Sequence, residues 1–267
     1  MTVELRDLVD PVSGHSFDYS PFRAACARVA QALAGFRSDP AIAQVVENVP
    51  GAEGEAYAAA LALLAPHRWV EVGCLRNDAV GGAPRPVTHE GVTLAAATWR
   101  YAFRAAELDL LFGPLSGLRI VEIGGGYGGL AAAVCAMASP AQYTIVDAPE
   151  PCRLQEAYLD AVGVSGVETC SSLSGTPLAF DLVVSDFALS ELSDDYRTVY
   201  GRALLRQARG GAFCWNGAGG LSPARGAAWL AGVTGRWVHT AADRPALAAC
   251  GLGIDRLASR LYYGARA

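Results

Sequence analysis

The chain has 267 residues, of which 52% are hydrophobic, and a formal charge of −5 at pH 7. That is enough apolar material for one large domain, or one domain with a substantial extension, and it excludes a disordered polypeptide. The acidic excess is spread out, with no basic stripe for nucleic acid, no apolar run as long as the roughly 18–20 residues of a membrane span, and no signal-peptide pattern at the N-terminus, so a soluble, cytoplasmic protein is expected.

Residues 1–20 form a polar lead-in punctuated by Pro11 and Gly14, with Phe17 and Tyr19 expected to pack back on the body. Apolar spacing behind Ser20-Pro21 predicts a helix over residues 21–36. A shorter one follows at 40–49, stopped by Pro50-Gly51, and a third at 52–64, stopped by Pro66. Residues 67–74 read as strand-like or extended. Residues 77–90, rich in glycine and proline, read as an irregular loop, and loops of that length in compact domains are often functional. Residues 93–112 read as a long helix carrying Trp99, Arg100 and Tyr101; the last two face either a site or the cap, and because they point about 100° apart on a helix only one of them is expected to face a site.

From residue 118 the pattern alternates. Strands are expected at 119–123, 142–146, 166–170, 181–185 and 211–215, and helices at 130–138, 151–162, 193–208 and 223–231. Strands alternating with helices predict a parallel sheet covered on both faces. Residues 236–239 and 257–263 read as a closing antiparallel pair. The expected organisation is an α/β domain over residues 116–267 preceded by a helical cap over 1–115. The seven cysteines are scattered with no CxxC pair, which predicts buried thiols rather than disulfides or a metal site.

Residues 120–129, IVEIGGGYGG, read as strand, tight turn and helix start. Gly124, Gly126 and Gly129 satisfy GxGxxG, a dinucleotide signal that is weak among 30 glycines. Two carboxylates say more. Glu122, inside the strand, is badly placed for a pyrophosphate and well placed for a cation. Asp147 closes the next strand about 20 residues on, where a carboxylate can take both hydroxyls of a ribose.

Together with residues 180–192, FDLVVSDFALSEL, these features resemble the class I S-adenosylmethionine-dependent methyltransferases over most of residues 118–267. The segments NDAVGGAP, Trp99-Arg100-Tyr101, VEIGGGYGGL, YTIVDAPEP, SDFALSEL and RLYYGAR are similar to the bacterial sugar O-methyltransferases, which extends the likeness back to about Asn77. The resemblance implies a mostly parallel seven-stranded Rossmann-like sheet with an antiparallel C-terminal strand, and S-adenosylmethionine as cofactor, leaving S-adenosylhomocysteine. It also implies site roles. Gly124, Gly126 and Gly128, in a turn with Gly125 and Tyr127, would admit the methionine part; Glu122 would order the turn or meet the ammonium group; Asp147 would hold the ribose. Ser171 and Ser172 would contact adenine, and Asp186 and Phe187 would border the reacting methyl. Tyr127 would either cover the cofactor or stack on the acceptor.

A sulfonium is already activated, so alignment is the main task, and a sugar hydroxyl would profit from a general base. His89 is the first candidate because imidazole titrates near neutrality; Asp186 and Glu191 are the next, although Glu191 also fits a helix-end carboxylate meeting the dipole. Asp186 and Asn216 are two oxygen donors without an evident third, so no metal site is expected. The expected partner is a small-molecule acceptor, with no nucleic acid and no membrane; a homodimer is an admissible assembly. Rival functions are N- or carboxyl-methylation, an NAD-dependent oxidoreductase, and a cofactor-binding protein without catalysis.

Overall fold

The computed structural model describes residues 18–173, 179–249 and 259–265. Phe17 and the expected strand positions 257–258 lie outside these. The N-terminal part comprises helices α1 (Ser20–Val29), α2 (Pro40–Val46), α3 (Gly51–Leu64) and α4 (Trp69–Gly73), then β1 (Pro86–His89), β2 (Val92–Ala95) and the long α5 (Ala96–Phe112). Asp39 caps α2 by accepting from the Ala41 N–H at 3.0 Å.

Three sequence expectations are corrected here. The first helix stops at Val29, and Gly35, at φ 69°, turns the chain into a 3-10 turn that buries Phe36 and Arg37. Residues 67–74 are helical: a 3-10 turn, Pro66–Arg68, runs into α4, whose buried residue is Val72. A short apolar run is compatible with either period, and this one is helical. Finally, the end of the 77–90 loop is regular. β1 and β2 pair antiparallel from Pro86↔Ala95 to His89↔Val92. Glu90 and Gly91, at φ 44° and 80°, make the two-residue turn that such a hairpin demands. The cap is therefore not all helical, and α5 begins at Ala96.

The main sheet holds β3 (Arg119–Ile123), β4 (Gln142–Val146), β5 (Val167–Cys170), β6 (Leu182–Asp186), β7 (Gly210–Cys214), β8 (Val238–Thr240) and β9 (Arg260–Tyr263) in the order β5-β4-β3-β6-β7-β9-β8. β9 is antiparallel to both β7 and β8; the other neighbours are parallel. The connecting helices include α6 (Gly129–Met137), α7 (Pro149–Ala161), α8 (Ala188–Glu191), α9 (Asp194–Tyr200) and α10 (Pro223–Thr234). The stretch read as one helix over 193–208 is α9 followed by a π-helical turn, Gly201–Leu205. This order and direction of strands is the class I methyltransferase fold. The chain runs outward from β3 through β4 to β5 and then returns to β6 on the other side of β3. That reversal opens a crevice between the ends of β3 and β6, the usual ligand position in such sheets.

Side-chain alternation divides the core into two layers. Ile120, Tyr143, Ile145, Leu182, Val184, Ala212 and Tyr262 face one layer, which they share with α2, α3, α5 and α6. Val121, Ile123, Val146, Val183, Phe213, Leu261 and Tyr263 face the other, with α9 and α10. The N-terminal helices and one face of the sheet thus form a continuous core. No described helix is long and apolar enough to cross a membrane.

Candidate active site

The same alternation decides where the polar strand ends go. Glu122, Asp147 and Asp186 fall in phase with Ile120, Ile145 and Val184, on the face covered by α5. Cys214 pairs with Asp186 across the sheet and with Arg260 on its other side, so these two share that face.

Glu122 is buried, and Tyr143 donates to its Oε2 at 2.9 Å. Burial pushes the Glu122 carboxyl up to about 8 against the Tyr143 hydrogen bond. The glycine turn follows. Gly124, Gly126 and Gly128 have φ of 73°, 59° and 95°, a region closed to most side chains. The space beside their α-carbons is taken: a β-carbon would lie 2.2 Å from Ala188 Cβ at Gly124, 2.8 Å from Val46 Cγ1 at Gly126 and 3.3 Å from Leu159 Cγ at Gly128. At Gly125 it would lie 2.5 Å from Ile145 Cγ2. The turn is packed from one side by α8 and from the other by α2.

Tyr127 takes a core position. Its ring packs edge-on against Phe36, Tyr101 and Tyr158, with the Arg37 guanidinium above it. Both Arg100 and Tyr101 are buried, and Arg100 folds over the Tyr101 ring. The loop from Asn77 to Pro84 has a structural part in this. Asn77 Nδ2 donates to Gly129 O at 2.8 Å, and Asp78 accepts from the Ala95 N–H at 2.6 Å and from the Thr98 hydroxyl at 2.6 Å. Asp78 also pairs with fully buried Arg37, which holds Glu47 at 2.5 Å. The loop therefore ties the glycine turn to the start of α5.

Asp147 accepts from the Ala148 N–H and from Gln155 Nε2, both at 2.8 Å. Burial raises it to about 6 in spite of these donors. Gln155 also donates to Gly126 O at 3.1 Å, so one fully buried amide links the ribose candidate to the glycine turn. Sequence reading missed Gln155; its signal was a polar residue inside the buried stripe of α7. Ser171 is exposed and Ser172 half-buried beyond β5.

At the end of β6, Arg104 Nε lies 3.0 Å from Asp186 Oδ1, and the Cys214 thiol donates to the same oxygen at 3.2 Å. Burial alone would raise the Asp186 carboxyl; the nearby guanidiniums of Arg104 and Arg260 outweigh it and hold the group below the usual range. Behind it Glu107 receives Arg104 at 2.6 Å, Arg260 at 3.0 Å and the Tyr262 hydroxyl at 2.6 Å. This network too was missed. Phe187 has φ 76°, a strained value for a bulky residue and one that clusters at functional sites.

Glu191, at the end of α8, accepts from the Tyr19 hydroxyl and from Asn216 Nδ2. Tyr19 is thereby brought over the strand ends, and α1 is anchored on α7 by the Arg23–Glu150 pair at 3.0 Å. His89 is placed elsewhere, on the hairpin, with its ring edge-on to Trp69 and Trp99. Of the six described cysteines, Cys26, Cys152 and Cys214 are buried and all are free thiols. Among the described residues no cluster of three or more His, Cys, Asp and Glu side chains is placed to hold a metal ion.

No family model and no curated protein matches the chain. Among solved structures it is similar to a SAM-dependent methyltransferase from Aquifex aeolicus at 16% identity, covering 60% of this chain and 92% of that one, with a TM-score of 0.41. It is similar to an S-adenosylmethionine-dependent methyltransferase from Mesorhizobium loti at 23% identity, over 43% of this chain and 50% of that one, with a TM-score of 0.30. A third likeness is to the ribosomal protein L11 methylase from Lactobacillus delbrueckii subsp. bulgaricus, at 17% identity over 44% of this chain and 59% of that one, with a TM-score of 0.32.

Proposed function

We propose that the protein binds S-adenosylmethionine at the ends of β3, β4 and β6 and transfers its methyl group to a hydroxyl of a small molecule, a sugar or glycosylated metabolite, in the cytoplasm. Glu122 carries the reading. It is a buried carboxylate at the crevice, raised to about 8, and no ion pair among the described residues neutralises it. A cationic ligand beside it would favour the ionised form, whereas a pyrophosphate would meet repulsion. Asp147, pointing along the same face, would take ribose hydroxyls in exchange for Gln155.

A bound sulfonium supplies an already activated methyl group. The chain's own task is then to align the acceptor and exclude water. Residues 1–115 are the proposed acceptor cap and 116–267 the cofactor-binding part, with Tyr19 and Val46 over the strand ends as cover. Among the base candidates geometry favours Glu191. It lies four residues past Phe187, on a helix leading straight from the crevice, and among the described residues no arginine pairs with it. Asp186 is held ionised by Arg104 and is a weak proton acceptor for that reason. His89 is engaged with aromatic rings on the hairpin.

Methyl-labelled S-adenosylmethionine and a panel of sugar acceptors test the proposal. Transfer should fall on the order of 10²-fold or more in Glu191→Gln, and less in His89→Ala. The reverse order would make His89 the base; no transfer to any hydroxyl would remove O-methylation.

A further inference from the structure

Three guanidiniums, Arg100, Arg104 and Arg260, are buried on the face beside the glycine turn. Glu107 and Asp186 pair with the last two, and Glu122, on the same face, forms no ion pair among the described residues. Arg104 and Arg260 have ion-pair partners. Arg100 is only 7% exposed and has none among the described residues. Its acceptors are neutral and distant: Val46 O at 3.3 Å, Asn48 Oδ1 at 3.4 Å and the Tyr101 hydroxyl at 3.5 Å. Glu47, between Val46 and Asn48 in the chain, is held by Arg37 at 2.5 Å. Three guanidinium nitrogens in this group, Arg100 Nε, Arg104 Nη2 and Arg260 Nε, are buried donors without a partner among the described residues.

Buried guanidiniums are normally matched to charge and fully hydrogen-bonded, because a fork of N–H donors removed from water has nothing else to satisfy it. The planar fork suits a carboxylate or phosphate, which can accept two N–H bonds at once. Position supports a ligand over a structural accident. Arg100 and Arg104 are four residues apart on α5, hence on one side of it. Arg100 reaches the backbone of Val46, the residue packed on Gly126, and Arg104 reaches Asp186 at the end of β6. Asn48, beside Arg100, is exposed and marks a route from solvent.

We propose that Arg100, backed by Arg104, binds an oxyanion carried by the acceptor, so that the substrate is an acidic or phosphorylated small molecule and not a neutral one. This rests on the reading of the crevice as a methyl-transfer site.

The full chain is titrated at constant ionic strength with inorganic phosphate and, separately, with acetate, with and without S-adenosylhomocysteine, following arginine 15Nε resonances. One of the two anions should saturate in the millimolar range or below and shift the Arg100 signal. Whichever binds tighter identifies the group as phosphate or carboxylate. Affinity should fall at least about tenfold in Arg100→Gln, and Arg100→Lys, which keeps the charge without the fork, should bind several-fold more weakly than wild type. If neither anion saturates, or if both variants bind like wild type, the inference fails. If Arg100→Gln does not fold, the Arg100→Lys comparison decides. Binding of S-adenosylhomocysteine in the same samples separates the two readings. Its binding without an oxyanion sinks this inference alone; an oxyanion bound without it sinks the cofactor reading and, with it, the assignment of the anion to a methyl acceptor.

Discussion

The Tyr143 hydroxyl donates to Glu122 Oε2 at 2.9 Å, from one strand to its neighbour, inside the face of the sheet that α5 covers. One hydrogen bond from a phenol does not replace the water an ionised carboxylate loses, and burial raises Glu122 to about 8.

A pH dependence of stability follows. The unfolded chain releases this proton near the ordinary value of about 4.3, while the folded chain holds it until about 8. Stability from this site is complete below the unfolded value and is lost as pH rises through the folded one. Glu122→Gln removes the effect. Thermal unfolding should therefore show the variant gaining on the wild type steadily between about pH 5 and pH 8; a difference independent of pH would contradict the burial of an unpaired carboxyl.

The glycine turn makes a second expectation. An alanine at Gly124 would adopt φ near 73° and collide with Ala188 Cβ at 2.2 Å. Left-handed backbone costs roughly 1–2 kcal/mol and overpacking roughly 1–3 kcal/mol, so Gly124→Ala should lower stability by about 2–5 kcal/mol in urea titration. Adding Ala188→Gly should return the overpacking part and leave the backbone part. No recovery in the double variant would mean that α8 does not pack on the turn.

Glu107 is the hub of the buried network, receiving Arg104, Arg260 and Tyr262. Glu107→Ala leaves Arg260 buried without its acid and Arg104 with Asp186 alone, a change of about 3–5 kcal/mol. Chemical denaturation at neutral pH measures it; a loss below about 1 kcal/mol would place the pair in solvent contact.

What was legible beforehand was what is local. Strand alternation and the glycine turn place Glu122, Asp147 and Asp186 at neighbouring strand ends, because a parallel sheet forces the carboxyl ends of its strands together. The hairpin at Pro86–Ala95 is hidden behind the glycines and prolines before it, and Glu90-Gly91 is not one of the dipeptides that announce a two-residue turn. Arg104 and Glu107 meet Arg260 across about 150 positions of chain, and nothing in spacing reports such a contact. Their one trace was charge inside the apolar stripe of α5. Gln155 left the same trace in α7. His89 drew notice for its chemistry, and its place beside Trp69 and Trp99 depends on a hairpin that had been read as loop.

The most direct measurement is titration calorimetry of the chain with S-adenosylhomocysteine and with NADH, each in two buffers of different ionisation heat at pH 7. S-adenosylhomocysteine should bind, and its ammonium group should lower the Glu122 pKa from about 8 so that proton release appears as a difference between buffers; NADH should give no heat. Binding of NADH without S-adenosylhomocysteine would contradict the proposed cofactor outright.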